Sequence, residues 1–249
     1  MKVVVIGGTG LIGSKLVGRL ADQGHEAIAA SPSTGVNAST GEGLAEVLQE
    51  ASVVVDVSNA PSWEEEAVMS FFRTGTTNLL KAEAEAGVQH HVVLSIVGTE
   101  RLQEKNSYIR AKHVQENLIK TSGIPYSIVR ATQFFELLGM LAEAEARDDG
   151  VHVAPVKIRP IHADDVAAAI ARVAVGTPVN GTIEVAGPEE FRFDELIRET
   201  LSAKNDSRTV VPDPGAGYFG APLEETTLLP AAGAGFGKNR YADWLAQQK

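Results

Sequence analysis

The chain opens on KVVVIG, an unbroken run of mostly β-branched residues, and comparable apolar runs recur in HEAIAAS, SVVVDVS, VQHHVVLSIVG and IPYSIVRA. Runs that are continuously apolar, rather than alternating, predict strands buried on both faces. Between them lie LIGSKLVGRLADQG, GEGLAEVLQEA, EEEAVMSFFRTGTTNLLKAEAEAG and YIRAKHVQENLIKTSG, whose apolar positions recur with helical period. Gly24, Gly87 and Gly123 stand where C-caps would close three of these helices. Strand and helix in regular alternation predict a parallel sheet covered on both faces.

After Ala131 the pattern loosens. TQFFELLGMLAEAEARDDG reads as a helix and a turn. VHVAPVKIRPIHADDVAAAIARVAVG reads as short extended pieces, then an Ala-rich helix with Asp164 or Asp165 near its N-terminus. GTIEVAG predicts a strand and FDELIRETLSAKN a helix; from Asp206 on, Gly, Pro and Ala dominate until RYADWLA. No internal repeat interrupts this order. The expectation is a single domain over residues 1–249, with a small lobe at about 136–157 and 188–249. That lobe should cover the C-terminal edge of the sheet, where open α/β sheets bind ligands.

Composition narrows the field. A net charge of −10 argues against a nucleic-acid partner, which needs a basic surface. The absence of Cys excludes disulfides, thiolate catalysis and Cys-ligated zinc, and suits a reducing, cytoplasmic setting. MKVVVIGGTG is too short for a signal segment and no apolar run approaches a membrane span, so no membrane association is expected. The expected partner is a small-molecule substrate; oligomeric state stays open.

Between the first strand and the first helix, Gly7, Gly10 and Gly13 form GxxGxxG, a variant of the dinucleotide fingerprint. One glycine makes a tight turn, one lets backbone approach a pyrophosphate and one packs helix on strand. The helix N-terminus, with Thr9, Leu11 and Ile12 around it, then offers amides and positive dipole to the phosphates. NAD binders usually carry an acid about 20 residues later, on the ribose 2′-hydroxyl. Here IAASPSTGVN has none, and Ser31, Ser33 and Thr34 stand in its place. Hydroxyls and turn amides can accept a 2′-phosphate that no carboxylate repels. The expected Arg is missing, leaving Lys15 as a cation that could reach. This pattern favours NADP(H) over NAD(H).

GGTGLIG, a Tyr-x-x-x-Lys pair in SYIRAKHVQENL, and RPIHADDVAAAI followed by GTIEVAGPEEFRFDEL together resemble the short-chain dehydrogenase/reductase superfamily. Within it, the chain is similar to the atypical, NmrA-like branch of NAD(P)-binding oxidoreductases, over nearly its whole length. The resemblance implies a Rossmann-type, doubly wound α/β fold with a small C-terminal substrate lobe. It also implies a catalytic set of Ser95, Tyr108 and Lys112, with Ser95 thirteen positions before Tyr108 at the end of the preceding strand. Tyr108 would be the general acid or base. Ser95 would hold the substrate oxygen, and Lys112 would also bind the nicotinamide ribose. On a helix, residues four apart share a face, so a Lys⁺ there should lower the Tyr pKa. Ala111, Val114 and Leu118 should pack on the sheet, leaving the pair at the flank of that stripe. Thr132 and Phe134 are expected beside the nicotinamide, and Asp56 to Ala60, including Asn59 and Ala60, beside the adenosine and pyrophosphate.

The implied activity is NAD(P)H-dependent interconversion of a carbonyl and an alcohol. Quinone or flavin reduction, and a nonenzymatic dinucleotide sensor, are the alternatives. Nucleotide-sugar epimerisation is disfavoured by the short C-terminal lobe. His90 and His91 should point to opposite faces of a strand and serve structure rather than a metal. His162 reads as a packing or hydrogen-bonding residue, and Glu64 to Glu66 as a solvated helix start. Trp63, Phe135, Met140, Tyr218 and Phe219 are candidates for an apolar substrate pocket.

Overall fold

The computed structural model describes residues 1–248. Five strands alternate with helices in the first half: β1 Lys2–Ile6, α1 Leu11–Asp22, β2 Glu26–Ala30, α2 Leu44–Val47, β3 Val53–Asp56, α3 Glu65–Ala86, β4 His90–Ile96, α4 Thr99–Leu102, α5 Ser107–Lys120 and β5 Tyr126–Ala131. The second half adds α6 Leu138–Ala144, β6 Ala146–Arg147, β7 Gly150–Val153, β8 Lys157–Ile158, α7 Ala163–Ala174, β9 Gly181–Ala186, β10 Phe191–Arg192, α8 Phe193–Ala203, β11 Val210–Pro212, β12 Gly217–Tyr218, β13 Ala221–Pro222, β14 Gly235–Phe236 and α9 Tyr241–Ala246. The main sheet has seven strands in the order β14-β9-β5-β4-β3-β1-β2, and every pairing in it is parallel. This is the expected Rossmann-type α/β architecture. The chain leaves β1 first toward β2 and then returns to β3 on its other side, which opens a crevice at the C-terminal ends of β1 and β3.

Side-chain alternation assigns the two layers. Val3 and Val5 join Leu16 and Leu20 of α1 and Val166 and Ile170 of α7 in one core. Val4 and Ile6 turn to the opposite face with Leu44 and Leu79. Val93 and Ile128 meet Leu80 of α3 and Ile119 of α5 on that same side. Removing such continuously apolar strands from water on both faces is the main drive for the fold.

A separate core fills the lobe, where Leu138, Leu141, Val151, Phe193, Leu196, Leu201 and Tyr241 pack together. Its strands form a small sheet in the order β11-β7-β6, with β8 paired to β10 and β12 to β13. The lobe does not keep the whole C-terminal segment. Gly235–Phe236 leaves it and pairs with Val185 and Ala186 as the edge strand of the main sheet. Among the described residues no helix is long and apolar enough to cross a membrane.

Three helices end differently from expectation: α1 stops at Asp22 with Gln23 as its cap, one residue before Gly24. GEGLAEVLQEA is helical only over Leu44–Val47: Gly41 (φ +82°) and Gly43 (φ +71°), both left-handed, delay its start, and Glu50 (φ +60°) is left-handed beyond its end. α5 stops at Lys120 with Thr121 as its cap, three residues short of Gly123. Gly87 does close α3 in the left-handed conformation. α7 is capped by His162, whose Nδ1 accepts from the Asp164 amide at 3.2 Å; Asp164 and Asp165 occupy its first turn.

Candidate active site

A cavity of about 540 Å³ runs across the C-terminal ends of β1, β3, β4 and β5 toward the lobe. At one end it is lined by Gly7, Thr9, Gly10, Leu11 and Ile12 of the glycine turn. Gly7 has φ +77°, and a Cβ there would fall 2.8 Å from the Ser58 backbone. A Cβ on Gly13 would fall 2.1 Å from the Gly7 carbonyl oxygen, so Gly13 lets α1 approach the turn rather than lining the cavity. Gly10 caps α1 with no side chain on its amides, and the first turn carries no acid. These amides and the dipole behind them fit a pyrophosphate, so the turn can cradle the expected dinucleotide by its own chemistry.

Ser31, Asn37 and Ala38 line the next stretch. Ser33 and Thr34 do not: they are exposed, and their hydroxyls serve the turn itself. Thr34 Oγ1 accepts from the Ser31 amide at 2.9 Å, and the Ser31 and Ser33 hydroxyls bond each other at 2.8 Å. Lys15 is committed elsewhere, to Asp164 at 2.7 Å. Of Asp56 to Ala60, at the end of β3 and just beyond it, Val57, Ser58 and Asn59 line the cavity whereas Asp56 and Ala60 do not. Asp56 is buried and fixes the loop, its Oδ1 accepting from the Ser58 amide at 2.9 Å and hydroxyl at 2.6 Å.

At the other end, α5 brings Tyr108 and Lys112 to the same cavity. The Tyr108 hydroxyl donates to Asn59 Oδ1 at 2.8 Å, and that oxygen also accepts from the Ala60 amide at 2.9 Å. Lys112 is not at the flank of the buried stripe but within it, together with Ile109, Ala111, Gln115, Glu116 and Ile119; Val114 and Leu118 are only half-buried. Its Nζ donates to the Leu94 carbonyl at 2.8 Å and to Gln115 Oε1, and sits 4.6 Å from the centre of the Phe72 ring. Gln115 in turn donates to Asp56 Oδ2 at 2.8 Å. A relay of hydrogen bonds thus joins β4, α5 and β3 beneath the cavity.

The charges follow from these partners. Burial pulls the Lys112 ammonium down to about 8, against the attraction of Asp56 and Glu116. Burial holds the Tyr108 phenol well above its usual range, and Tyr218 adds to the shift. The expected lowering of Tyr108 by Lys112 is therefore reversed. The ammonium hydrogen-bonds the sheet and Gln115 rather than the phenol, and removal from water disfavours phenolate.

Ser95 also departs from expectation. It is buried at the cavity edge, but its hydroxyl donates to Glu116 Oε1 at 2.7 Å. Burial alone would raise Glu116, but hydrogen bonds from Arg130 and Ser95 hold it below the usual carboxylate range. Arg130 binds it through Nε at 2.9 Å and a terminal nitrogen at 2.6 Å. A serine has one proton to give, and this one goes to Glu116 rather than to a substrate oxygen.

Thr132 and Phe134 line the cavity after β5, and so do Trp63, Met140, Tyr218 and Phe219. Phe135 belongs to the lobe core, edge-on to Tyr241 at 5.3 Å between ring centres. Trp63 stacks on Phe219 at 5.8 Å, joining the loop before α3 to the β12–β13 turn. Asn106 is a lining residue that the sequence reading missed, and Gln133, between Thr132 and Phe134 in the stretch expected beside the nicotinamide, also lines the cavity. Asn106 had a visible signal: it caps α5, accepting from the Ile109 amide at 2.9 Å. His90 and His91 turn to separate protein partners, Ser127 at 2.9 Å and Glu83 at 2.8 Å.

Fold and cavity define a dinucleotide-binding α/β protein of the oxidoreductase type. The chain belongs to the NAD(P)H-binding family, whose model matches residues 7–175. It is 25% identical over 232 residues to the photosystem II assembly factor Ycf39 of Synechocystis sp., covering 85% of this chain and 71% of that protein. It is 27% identical over 215 residues to the (4-alkanoyl-5-oxo-2,5-dihydrofuran-3-yl)methyl phosphate reductase of Streptomyces griseus, covering 78% and 70%. Among solved structures, MoeE5 in complex with UDP-glucose and NAD shares the fold at TM-score 0.74 and 17% identity, over 100% of this chain and 97% of that one. The dTDP-4-dehydrorhamnose reductase of Bacillus anthracis, in complex with NADP, does so at TM-score 0.67 and 16% identity, over 98% and 92%. These likenesses agree with an atypical branch of the short-chain dehydrogenase/reductase superfamily.

Proposed function

We propose that the protein is an NADP(H)-dependent oxidoreductase that interconverts a carbonyl and an alcohol. The observation that carries this reading is the meeting, in one cavity, of the glycine turn with Tyr108 and Lys112 of α5. Bound NADPH would supply a hydride with its two electrons to the carbonyl carbon, leaving NADP⁺, while the carbonyl oxygen takes the Tyr108 proton. The amides of α1 would hold the diphosphate, and Thr132 and Phe134 would border the nicotinamide. Tyr108 is kept protonated by burial, and the proton it gives to Asn59 Oδ1 would turn to the carbonyl oxygen when substrate binds, which favours reduction. Lys112 would hold the nicotinamide ribose and offset charge left on the phenol. Ser95 would act through Glu116, fixing α5 against β4. Preference for NADP(H) is supported by a lining without a single carboxylate, with the Ser31 hydroxyl at its edge.

The test is a pair of measurements. NADPH and NADH are titrated into the protein, and tighter NADH binding would sink the cofactor preference. A carbonyl panel is then run with wild type and Tyr108→Phe. Unchanged turnover in the variant would point instead to quinone or flavin reduction, which needs the cavity but not the phenol. Tight cofactor binding with no turnover by wild type would favour a nonenzymatic sensor, a reading to which the likeness to an assembly factor lends weight.

A further inference from the structure

Among the cavity-lining residues Lys112 is the only one with a charged side chain. Its ammonium is buried beneath the surface and held by Leu94, Gln115 and the Phe72 ring. Toward the lobe the lining is Trp63, Ile109, Leu137, Met140 and Phe219, apolar side chains with no cation among them. A phosphate or carboxylate drawn into such surroundings would lose its hydration and gain no counter-charge. One polar side chain there stands apart. Gln133 is 5% exposed, and both its amide oxygen and its amide nitrogen lack a hydrogen-bond partner among the described residues. The Tyr218 phenol is near enough to feel it but makes no bond of good geometry with it. A buried amide left wholly unpaired is costly and rare, and in a cavity it marks a place where a ligand completes the bonding.

We infer that the substrate is an uncharged, largely apolar or aromatic carbonyl compound, with Gln133 as its polar anchor. This rests on the oxidoreductase reading and specifies its substrate. It also separates this protein from a relative named for a phosphate substrate and a fold neighbour holding a sugar nucleotide. Gln133 binds and does not take part in proton or hydride movement, so its loss weakens substrate binding rather than turnover.

The experiment compares methyl 4-formylbenzoate with 4-formylbenzoate, two aldehydes of one shape that differ by a negative charge, with NADPH as reductant. Wild type should reduce the ester with kcat/KM at least tenfold above the acid, and Met140→Arg should shrink that ratio by placing a cation in the lining. Gln133→Met should raise KM for the ester about five- to tenfold with kcat within about twofold, the size of one or two lost hydrogen bonds. The same variant should bind NADPH as wild type does, and its ligand-free Tm should hold or rise, because it removes an unpaired buried amide. Equal efficiency on the two aldehydes, or preference for the acid, overturns the substrate class. A fall in Tm, or an unchanged KM in a folded, NADPH-binding Gln133→Met protein, overturns the role of Gln133. Wild type that binds NADPH but reduces neither aldehyde, nor any of the carbonyl panel, removes the oxidoreductase reading itself and this inference with it.

Discussion

At the glycine end of the cavity the binding groups are backbone amides, whereas at the α5 end they are side chains whose protons already have partners. The first arrangement depends on the absence of atoms. Gly7 and Gly13 are where they are because any Cβ would collide with the loop after β3 or with the turn itself. The second depends on the allocation of protons. Tyr108 gives its proton to Asn59, Ser95 to Glu116, and Lys112 divides its protons between Leu94 and Gln115. Steric exclusion is a local property and can be read from spacing. Proton ownership is decided by residues far away in the chain.

The sharpest way to break the glycine end is Gly13→Val. Its Cβ would sit 2.1 Å from the Gly7 oxygen, and affinity for NADPH should fall by more than about a hundredfold, or the domain should lose its cooperative melt. Fluorescence titration with a thermal scan reads both. At the α5 end, Tyr108→Phe should lower kcat/KM by about 10²- to 10⁴-fold while NADPH affinity stays within about twofold. A parallel loss of cofactor affinity would erase the distinction between the two ends.

The next effect is one of pH. As pH rises through about 8, Lys112 loses its proton in the folded protein, and kcat/KM should fall with it. Lys112→Arg should abolish that limb, since guanidinium stays charged. Stability should move the other way. Between about 8 and the ordinary lysine value of 10.5, the unfolded chain holds a proton the folded chain has shed, so this group adds stability as pH rises. Denaturation midpoints measured across that window provide the check. The smallest effect is assigned to Ser95→Ala. It should cost about 1–2 kcal/mol of stability by leaving Glu116 short of a donor, yet lower kcat less than about fivefold. A hundredfold loss of kcat in a stably folded Ser95→Ala protein would return Ser95 to the substrate oxygen.

Much of the sheet was legible because its strands are apolar on both faces and each is followed by a periodic helix. β14 was not, since a two-residue strand of Gly and Phe carries no periodicity and pairs only because the chain returns to the edge of β9. In α5 the reading of Ala111, Val114 and Leu118 as the packed stripe failed for a physical reason. The buried face of that helix carries Lys112, Gln115 and Glu116, polar residues admitted because Asp56 and Arg130 wait on the sheet to bond the network they form. The placement of Tyr108 and Lys112 in one cavity with the glycine turn follows the resemblance, but the direction of the Tyr108 shift does not. Burial is set by Trp63, Phe72 and the lobe, and the distance in sequence between those partners hides it. Ser33 and Thr34 look like phosphate ligands in a string of letters and turn out to close their own turn.

The path of the last stretch of chain has a further consequence. After building the lobe sheet, the polypeptide crosses back to add β14 to the main sheet, then returns to seat Tyr241 of α9 in the lobe, bonded to Thr200 at 2.7 Å. The chain enters the lobe three times, at α6, β10 and α9, so the two bodies are stitched together and not joined at a hinge. A lobe with a different substrate therefore cannot be grafted on by exchanging a single contiguous piece. Change in this protein's specificity has to come by substitution within the walls it already has.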